Sequence, residues 1–331
     1  MDLYTLFIEL ATILLRPNGI SSYIVPDSLI GRSNFESTRK MIICDKTILK
    51  WVHLNEVFSS ANVASVIYVF KNQYSEDYTF IYEKSANVTN WNNGILETVK
   101  VKKCIVEKTE NYQVNFSSEA ETSLLFKIKS HEKLQTKMIM WRGEELGRRS
   151  ELIKDTETKT TIPLLAGDNV HRYECIDWSR YIRKSDVNKI NYDKPKILIR
   201  QLGTCINATI DLEGCVTLQS IYNLALEIQN ITYLKFVLGL LNSKLYDFIY
   251  IKIAGDKQTF QRIILENIKT LPIPPSTNEV EKQIAALVDS ILEAKRKNIQ
   301  TDISKLEKQI DDIVYRLFNL TDDEIKLIEQ A

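Results

Sequence analysis

Basic and aromatic residues are interleaved between Met140 and Gln201, and this mixture suits nucleic-acid binding. The segment holds thirteen Lys and Arg against ten Asp and Glu. Because the excess is small, only a local arrangement could create a phosphate-binding face. Guanidinium forks match both phosphate oxygens and base edges. The candidate contacts are Arg148, Arg149, Arg172, Arg180, Arg183 and Lys184. The alternative for each of these residues is a solvated surface of mixed charge.

Other catalytic patterns are weak. Glu279-Val280-Glu281-Lys282 has the E-x-K spacing of metal-dependent nucleases, but it lies in a helical pattern without an upstream Pro-Asp, so a solvated helix face is expected. There is no G-x-S-x-G nucleophile elbow. The five cysteines form no CxxC pair and the three histidines no HExxH motif, which favours a reduced protein without structural zinc.

Length and charge limit the partners. The 331 residues carry a formal net charge of zero, so no global field draws the chain to nucleic acid or acidic lipid. We expect two or three domains from the length. The start of the sequence does not resemble a signal or transit peptide. The apolar stretch from Tyr233 to Ile253 is interrupted by charged and polar residues, which predicts a half-buried helix rather than a membrane span, and no membrane partner. The reduced state expected of the cysteines predicts a cytoplasmic location.

The first 45 residues predict a helix, a strand and a second helix. Apolar residues recur at helical spacing up to Leu14, and Pro17-Asn18-Gly19 ends that helix near Leu15. We expect a sheet to cover its apolar face, which contains Leu3, Leu6, Phe7, Leu10 and Leu14. A strand follows over Ile20–Pro26. Ser33 and Glu36 form a capping-box pattern for a helix through Ile43.

Two further strands are predicted over Ile48–Leu54 and Val63–Phe70, and the second is apolar on both faces, so it should be central in an α/β sheet. Shorter strands are expected at Tyr78–Tyr82 and Ile95–Lys103, without recognisable chemistry. Pro195–Arg200 reads as a strand of a second region.

The C-terminal third is helical. One apolar face extends from Val280 to Leu292 and another from Ile303 to Leu317, and the two should pack as a hairpin rather than bind a partner as a coiled coil. Thr321 and Glu324 form a capping box for a short last helix.

Three groups of short stretches occur in the order and spacing of one enzyme family. The first is Asp2–Glu9 with Leu14–Gly19 and Tyr23–Pro26, the second is Asn55–Phe58 with Val63–Val66, and the third is Pro163–Gly167 with Leu240–Leu245 ahead of Leu271–Pro274. Together they resemble gamma-type adenine-N6 DNA methyltransferases with a TaqI-like C-terminal specificity domain, as in type IIG restriction-modification enzymes. The resemblance covers nearly the whole chain and is weak between Lys71 and Lys137.

The resemblance implies roles for two aromatic residues. An enzyme that methylates a base inside a duplex must extrude it and replace the lost stacking with an aromatic face. Phe58 matches the residue that stacks on the flipped adenine, and Phe7 matches the residue that packs on the adenine ring of S-adenosylmethionine. The alternatives are a core aromatic beside a hairpin for Phe58 and a core residue on a helix face for Phe7.

Two motifs of that family do not occur between residues 1 and 331: the glycine-containing turn that holds the methyl donor, and the Asn/Asp-Pro-Pro-Tyr/Phe loop that holds the target amino group. The chain alone is therefore not expected to methylate DNA. By resemblance, S-adenosylmethionine would bind only with a complementary N-terminal half. Residues 1–70 would leave an apolar sheet edge uncovered, which predicts either a complementary methyltransferase chain as partner or a truncated gene product of low stability.

The sequence thus predicts an α/β fold: the C-terminal half of a Rossmann-like methyltransferase sheet, a mixed α/β target-recognition domain and a helical hairpin. The predicted domains are residues 1–75, a β-rich connection at 76–139, a specificity domain at 140–275 and the hairpin with its terminal helix at 276–331. The expected function is recognition of double-stranded DNA and base binding within a site-specific adenine-N6 methyltransferase of a restriction-modification system. The alternative is a non-catalytic specificity subunit that docks a separate methyltransferase.

Overall fold

The chain forms two compact units that meet in sequence at Leu124 and Leu125. The computed structural model describes residues 2–58, 63–147, 150–174, 176–188, 191–254 and 262–330. Both units combine helices and strands, so the predicted mixed α/β class is confirmed.

The first unit is built around one five-stranded sheet in the order β1-β3-β2-β4-β5. Its elements are α1 (Leu3–Leu14), β1 (Ile20–Pro26), α2 (Ser28–Gly31), α3 (Glu36–Cys44), β2 (Thr47–Glu56), β3 (Ser65–Lys71), β4 (Thr79–Asn87), α4 (Val88–Asn92), β5 (Glu97–Lys102) and α5 (Lys103–Val106). A further helix, α6 (Glu119–Lys129), leads from the first unit into the second.

The predicted strands are present, and β3 is interior to the sheet as expected. It lies between β1 and β2 and is antiparallel to both, whereas β4 is parallel to β2 and antiparallel to β5. Since β4 and β5 belong to the same sheet, that sheet continues past residue 75, where the sequence had suggested a boundary. Trp51, Tyr68 and Phe70 are fully buried at its centre.

Helix α1 ends where predicted, but the expectation that a sheet covers its apolar face is wrong. The residues it buries are Thr5 and Ile8. Tyr4, next to them, lies with its ring centroid 5.4 Å from that of Phe35. The face that the sequence marked as apolar points away from this contact and is exposed.

Helix α3 begins differently from the prediction. Ser33 lies in a 3₁₀ turn, and the helix starts at Glu36 without a side-chain cap. Arg39 of this helix is fully buried and donates only to main-chain carbonyls, which include Leu29 O at 2.9 Å and Asn111 O at 3.0 Å. The guanidinium therefore satisfies carbonyls of α2 and of the turn around Asn111, which are distant in sequence.

The second unit contains two four-stranded sheets, ordered β13-β9-β10-β8 and β12-β11-β14-β7, and a two-stranded pair of β15 and β6. Its strands are β6 (Glu132–Lys133), β7 (Ile139–Arg142), β8 (Ile153–Lys154), β9 (Thr161–Leu165), β10 (Tyr181–Arg183), β11 (Lys196–Arg200), β12 (Ala208–Asp211), β13 (Val216–Thr217), β14 (Ile221–Ala225) and β15 (Pro272–Ile273). Its helices are α7 (Ile231–Leu241), α8 (Lys244–Ala254), α9 (Leu265–Lys269), α10 (Asn278–Lys297), α11 (Ser304–Leu317) and α12 (Asp322–Glu329).

The stretch from Tyr233 to Ile253 is two helices, not the single helix that the sequence predicted. The break falls at Asn242, whose side chain accepts from Ala208 N at 3.1 Å and donates to Ala208 O at 2.9 Å. A hydrogen-bonded link to β12 thus replaces continuation of the helix. Among the described residues, no helix is both long and apolar enough to cross a membrane.

The C-terminal helices pack as predicted. Helix α10 contacts both α11 and α7. A Cβ built on Gly239 of α7 would lie 2.5 Å from Ile284 Cγ2, so the absent side chain permits close approach of α7 and α10. The capping box of Thr321 and Glu324 at the start of α12 is confirmed.

Candidate nucleic-acid interface

Three of the predicted DNA contacts lie around the short strand β10. Arg180 directly precedes the strand, Arg183 ends it and Lys184 follows it, and all three are exposed. Ile182 between them is fully buried and anchors the strand in the unit. Their side chains make no hydrogen bond or ion pair with the rest of the described chain. They form a local group of unneutralised cations, which is the feature expected of a phosphate-binding surface.

Arg172 lies in a different environment. Its guanidinium donates to Glu307 Oε1 at 2.8 Å, pairs with Asp247 Oδ2 at 3.3 Å and contacts the main-chain carbonyl of Asn242. Burial alone would lower the pKa of Arg172, but the negative groups around it outweigh this effect and raise the pKa. These contacts connect the loop before Tyr173 to α8 and α11 and occupy the donors that DNA would need. A DNA contact by Arg172 remains a prediction.

Arg148 and Arg149, the two other predicted contacts, lie outside the described residues. The preceding Gly143 can be placed. A side chain there would collide with the main chain of Thr217 and Leu218, so this position requires glycine.

A surface cleft of about 200 Å³ opens beside β10. One side is the end of β9 and the 3₁₀ turn Gly167–Asn169, and the other is the segment before β10. The main chains are joined here because Leu164 N donates to Arg180 O at 2.8 Å. The lining residues are Leu164, Ala166, Asp168, Asn169, Ser179 and Arg180.

Sequence reasoning selected Arg180 but missed the other polar residues of this cleft. Asp168 pairs with Arg200 at 3.5 Å. The Asn169 side chain accepts from Ala166 N at 2.8 Å and donates to Asp177 O at 3.1 Å. The Gly-Asp-Asn run was a signal for a turn. Nothing in the local sequence indicated that Arg180 would lie beside it.

In the first unit, the two aromatic residues chosen from the sequence are both exposed. Phe58 lies two residues after the end of β2 and is 53% exposed, and Phe7 on α1 is 56% exposed. The alternatives that placed them in the core are therefore wrong. Their roles in binding a base or a methyl donor remain predictions.

The exposure of Phe7 is part of a larger apolar surface, which we call the open face. It consists of the exposed side of α1 and the exposed apolar residues of the edge strand β1, two elements that contact each other. Successive side chains of a strand point to opposite faces, so Tyr23 lies on one face of β1 and Ile20 and Ile24 lie on the other. Since β1 pairs only with β3 among the described strands, its other edge is also free. The open face contains Leu3, Leu6, Phe7, Leu10, Ile13, Leu14, Ile20, Tyr23 and Ile24. Exposed apolar residues on a helix and on an adjoining free strand edge mark an interaction site or an aggregation hazard.

No group of three or more His, Cys, Asp or Glu in the described ranges could hold a metal ion. Of the basic residues around β10, only those exposed to solvent could meet a ligand directly.

Two protein families match the chain, one in each unit. Residues 1–58 match the Eco57I restriction-modification methylases, and residues 162–273 match the TaqI-like C-terminal specificity domain. The first match includes α1, β1 and Phe58. The second includes the cleft and the basic residues of β10.

Longer relatives agree with these matches. A Methanocaldococcus jannaschii protein named as a type II restriction enzyme and methyltransferase is 25% identical over 96% of this chain, which covers 28% of that protein. The solved structure of the type IIL restriction-modification enzyme MmeI in complex with DNA is 12% identical with a TM-score of 0.64, over 98% of this chain and 51% of that one.

A second solved structure, the type IIG restriction endonuclease BpuSI, is 12% identical with a TM-score of 0.41, over 95% of this chain and 49% of that one. The chain thus spans about half the length of the two solved structures and 28% of the archaeal relative. The resemblance inferred from the short stretches is confirmed: residues 1–58 are similar to restriction-modification methylases of the Eco57I type, and residues 162–273 are similar to the TaqI-like specificity domain.

Proposed function

We propose that the chain is the base-binding and target-reading part of a site-specific adenine-N6 DNA methyltransferase of a restriction-modification system. The observation that carries this proposal is the order of the two matched segments on one chain, with the methylase segment first and the specificity domain second. Catalysis would require a complementary segment that supplies the donor-binding turn and the Pro-Pro loop.

Phe58 would stack on the extruded adenine. It lies beyond the end of a strand with half of its surface accessible, so a flat ligand can reach its ring. Stacking of a base on an aromatic ring is worth about 1–3 kcal/mol, which offsets part of the cost of extrusion. Phe58 would hold the base in position without taking part in the transfer of the methyl group.

S-adenosylmethionine would supply the methyl group when bound. The described residues fit one part of such a site: Phe7 presents an exposed ring on α1, suited to packing against an adenine ring. The polar residues that hold the rest of the donor would come from the complementary segment. Phe7 would thereby orient the donor from the side of the open face.

The open face would dock that complementary segment, either on a separate chain or on the same one. Burying its nine apolar residues would remove a hazard, and a strand added at the free edge of β1 would satisfy the exposed backbone groups there. Double-stranded DNA would then lie against the second unit, with Arg183 and Lys184 at its phosphates.

The proposal is tested by measuring donor and duplex binding by calorimetry with the chain alone and with a segment carrying the two absent motifs. We expect S-adenosylmethionine to bind only to the combination, and F58A to weaken binding of a duplex with an abasic site opposite the target more than F116A. Donor binding by the chain alone, or no donor binding by the combination, would contradict the proposal.

A second candidate function is a DNA specificity subunit that docks a complete methyltransferase. It is favoured by the second unit having its own sheets and helices around separate cores. An intact methyltransferase that co-purifies with the chain, together with failure of the isolated complementary segment to bind the open face, would favour this candidate over the first.

A further inference from the structure

We propose that the cleft beside β10 reads one G·C base pair of the target, with Arg180 on the guanine and Asp168 on the cytosine. This inference rests on the proposed function, because it assumes that the second unit binds duplex DNA. It goes further in assigning a base pair to a particular pair of side chains.

Arg180 has the properties of a residue that contacts a base edge. Its side chain is exposed and has no hydrogen-bond or ion-pair partner in the described chain, while its main-chain carbonyl is fixed by Leu164 N at 2.8 Å. A fixed backbone with available donors is what a bidentate contact requires. The two acceptors that guanine presents side by side in the major groove, O6 and N7, match a guanidinium fork.

Asp168, which carries acceptor oxygens, lines the same cleft as Arg180. Asp168 is on the 3₁₀ turn, and Arg200 holds its carboxylate at 3.5 Å. Carboxylates accept from the N4 amino group of cytosine, the partner of guanine. The cleft therefore presents a donor fork and an acceptor, which together complement the major-groove edge of one G·C pair.

The same geometry disfavours an A·T pair. Adenine is usually read by the amide of Asn or Gln, which accepts and donates at once. Asn169 is the amide in this cleft, and each of its polar atoms already makes a hydrogen bond: Oδ1 accepts from Ala166 N, and Nδ2 donates to Asp177 O in the segment before β10. The residue type suited to adenine is thus committed to holding the turn.

A phosphate is also a poor fit. The carboxylate of Asp168 would repel it, and the remaining lining includes the apolar residues Leu164 and Ala166. The exposed Arg183 and Lys184 lie outside this lining and carry no such restriction. We therefore separate the basic residues of β10 into a base reader, Arg180, and two phosphate contacts.

The test is selection of duplexes from a randomised library by the full chain, followed by binding measurements at several salt concentrations. The key variant is R180K, because it keeps the charge of a phosphate contact but loses the fork. We expect R180K and R180A each to lose between about fivefold and 100-fold of the preference for G·C at one position. R183A should keep the selected sequence and lower the salt slope by about 1.

A second variant, D168N, tests the other half of the pair and should relax the preference at the same position. If R180A weakens binding to all duplexes alike and R180K restores it, Arg180 is a phosphate contact and the inference is wrong. If the wild-type chain selects no sequence at all, the proposed target-reading function fails, and the inference fails with it. Thermal unfolding of each variant confirms that the exposed substitutions leave the fold intact.

Discussion

Helices α1 and α7 are both strongly apolar, yet they occupy opposite environments. Every residue of α7 from Phe236 to Leu241 is buried, because β12 lies on one side of the helix and α10 on another. Helix α1 buries only Thr5 and Ile8 and exposes the rest of its apolar side. An apolar helix is fully buried only when other elements pack on both of its sides. In the described residues α1 is packed on one side only. In the part of the chain that the structure describes, no second layer covers the open face.

The largest loss of stability is expected from a substitution in the interior of the second unit. Lys196 and Asp211 form an ion pair with both side chains fully buried, and Lys196 also donates to Tyr192 O at 2.8 Å. Substituting Lys196→Met would leave a buried carboxylate without its cation and should destabilise this unit by about 3–5 kcal/mol. Urea unfolding with hydrogen exchange as a local probe measures this effect.

The matched control is Lys297→Met, which removes an exposed pair with Glu293 and should cost less than about 1 kcal/mol. If the two substitutions lowered the unfolding free energy equally, the interior around Lys196 would not be the closely packed environment that we contrast with α1.

The second-largest difference in stability is expected between substitutions on the buried side and on the exposed side of α1. Ile8 is fully buried, so Ile8→Ala should destabilise the first unit by about 2–5 kcal/mol. Leu14 is 74% exposed, and Leu14→Ala should change stability by no more than about 0.5 kcal/mol. Chemical denaturation of both variants measures the change in unfolding free energy that each substitution causes. A large loss of stability for Leu14→Ala in the chain alone would show that the open face is covered within the chain.

A smaller change is expected in how the stability of the second unit depends on pH. Burial raises the pKa of Asp311 from 3.8 to about 6, although Lys244 N donates to its carboxylate at 2.9 Å and favours the charged form. Between about pH 4 and pH 6 the folded state holds a proton that the unfolded state has released. The contribution of Asp311 to stability is therefore greatest at low pH and is lost as the pH rises through 6.

Substituting Asp311→Asn should keep the acceptor for Lys244 N and remove this dependence. The difference in unfolding free energy between the variant and the wild type should grow by up to about 3 kcal/mol from pH 4 to pH 7, with the variant the more stable at pH 7. A difference that shrinks over this range would have the wrong sign for a raised pKa.

The smallest expected effect is on the salt dependence of DNA binding. Arg183→Ala and Lys184→Ala should each lower the slope of log affinity against log salt by about 1 without changing stability, because both side chains are exposed. Fluorescence anisotropy at four salt concentrations measures the slope. If this slope were unchanged in both variants, Arg183 and Lys184 would not contact phosphates, and β10 would not be part of the phosphate-binding surface.

Local patterns predicted the elements well. Pro17 and Gly19 placed the end of α1, the apolar run from Val63 placed β3 inside the sheet, and Thr321 with Glu324 placed the start of α12. In each case the signal lies within a few residues of the structure that it specifies.

Features that depend on distant residues were not predictable. The break at Asn242 depends on Ala208, and the ion pairs of Arg172 depend on Asp247 and Glu307. The periodicity of α1 showed which side is apolar but could not show that none of the described residues would cover it. The cleft was missed for the same reason, since its polar lining comes from two separate segments.

The central claim, that the open face docks a complementary methyltransferase segment, is tested most directly by hydrogen exchange at α1 and β1. The amides of Leu3–Leu14 and Ile20–Pro26 are followed in the chain alone and with a segment that carries the donor-binding turn and the Pro-Pro loop. We expect protection to rise in both elements on mixing, and to be lost when Leu10 and Ile13 are replaced by Glu. Unchanged exchange at β1, with a complex that forms elsewhere or not at all, would contradict the account.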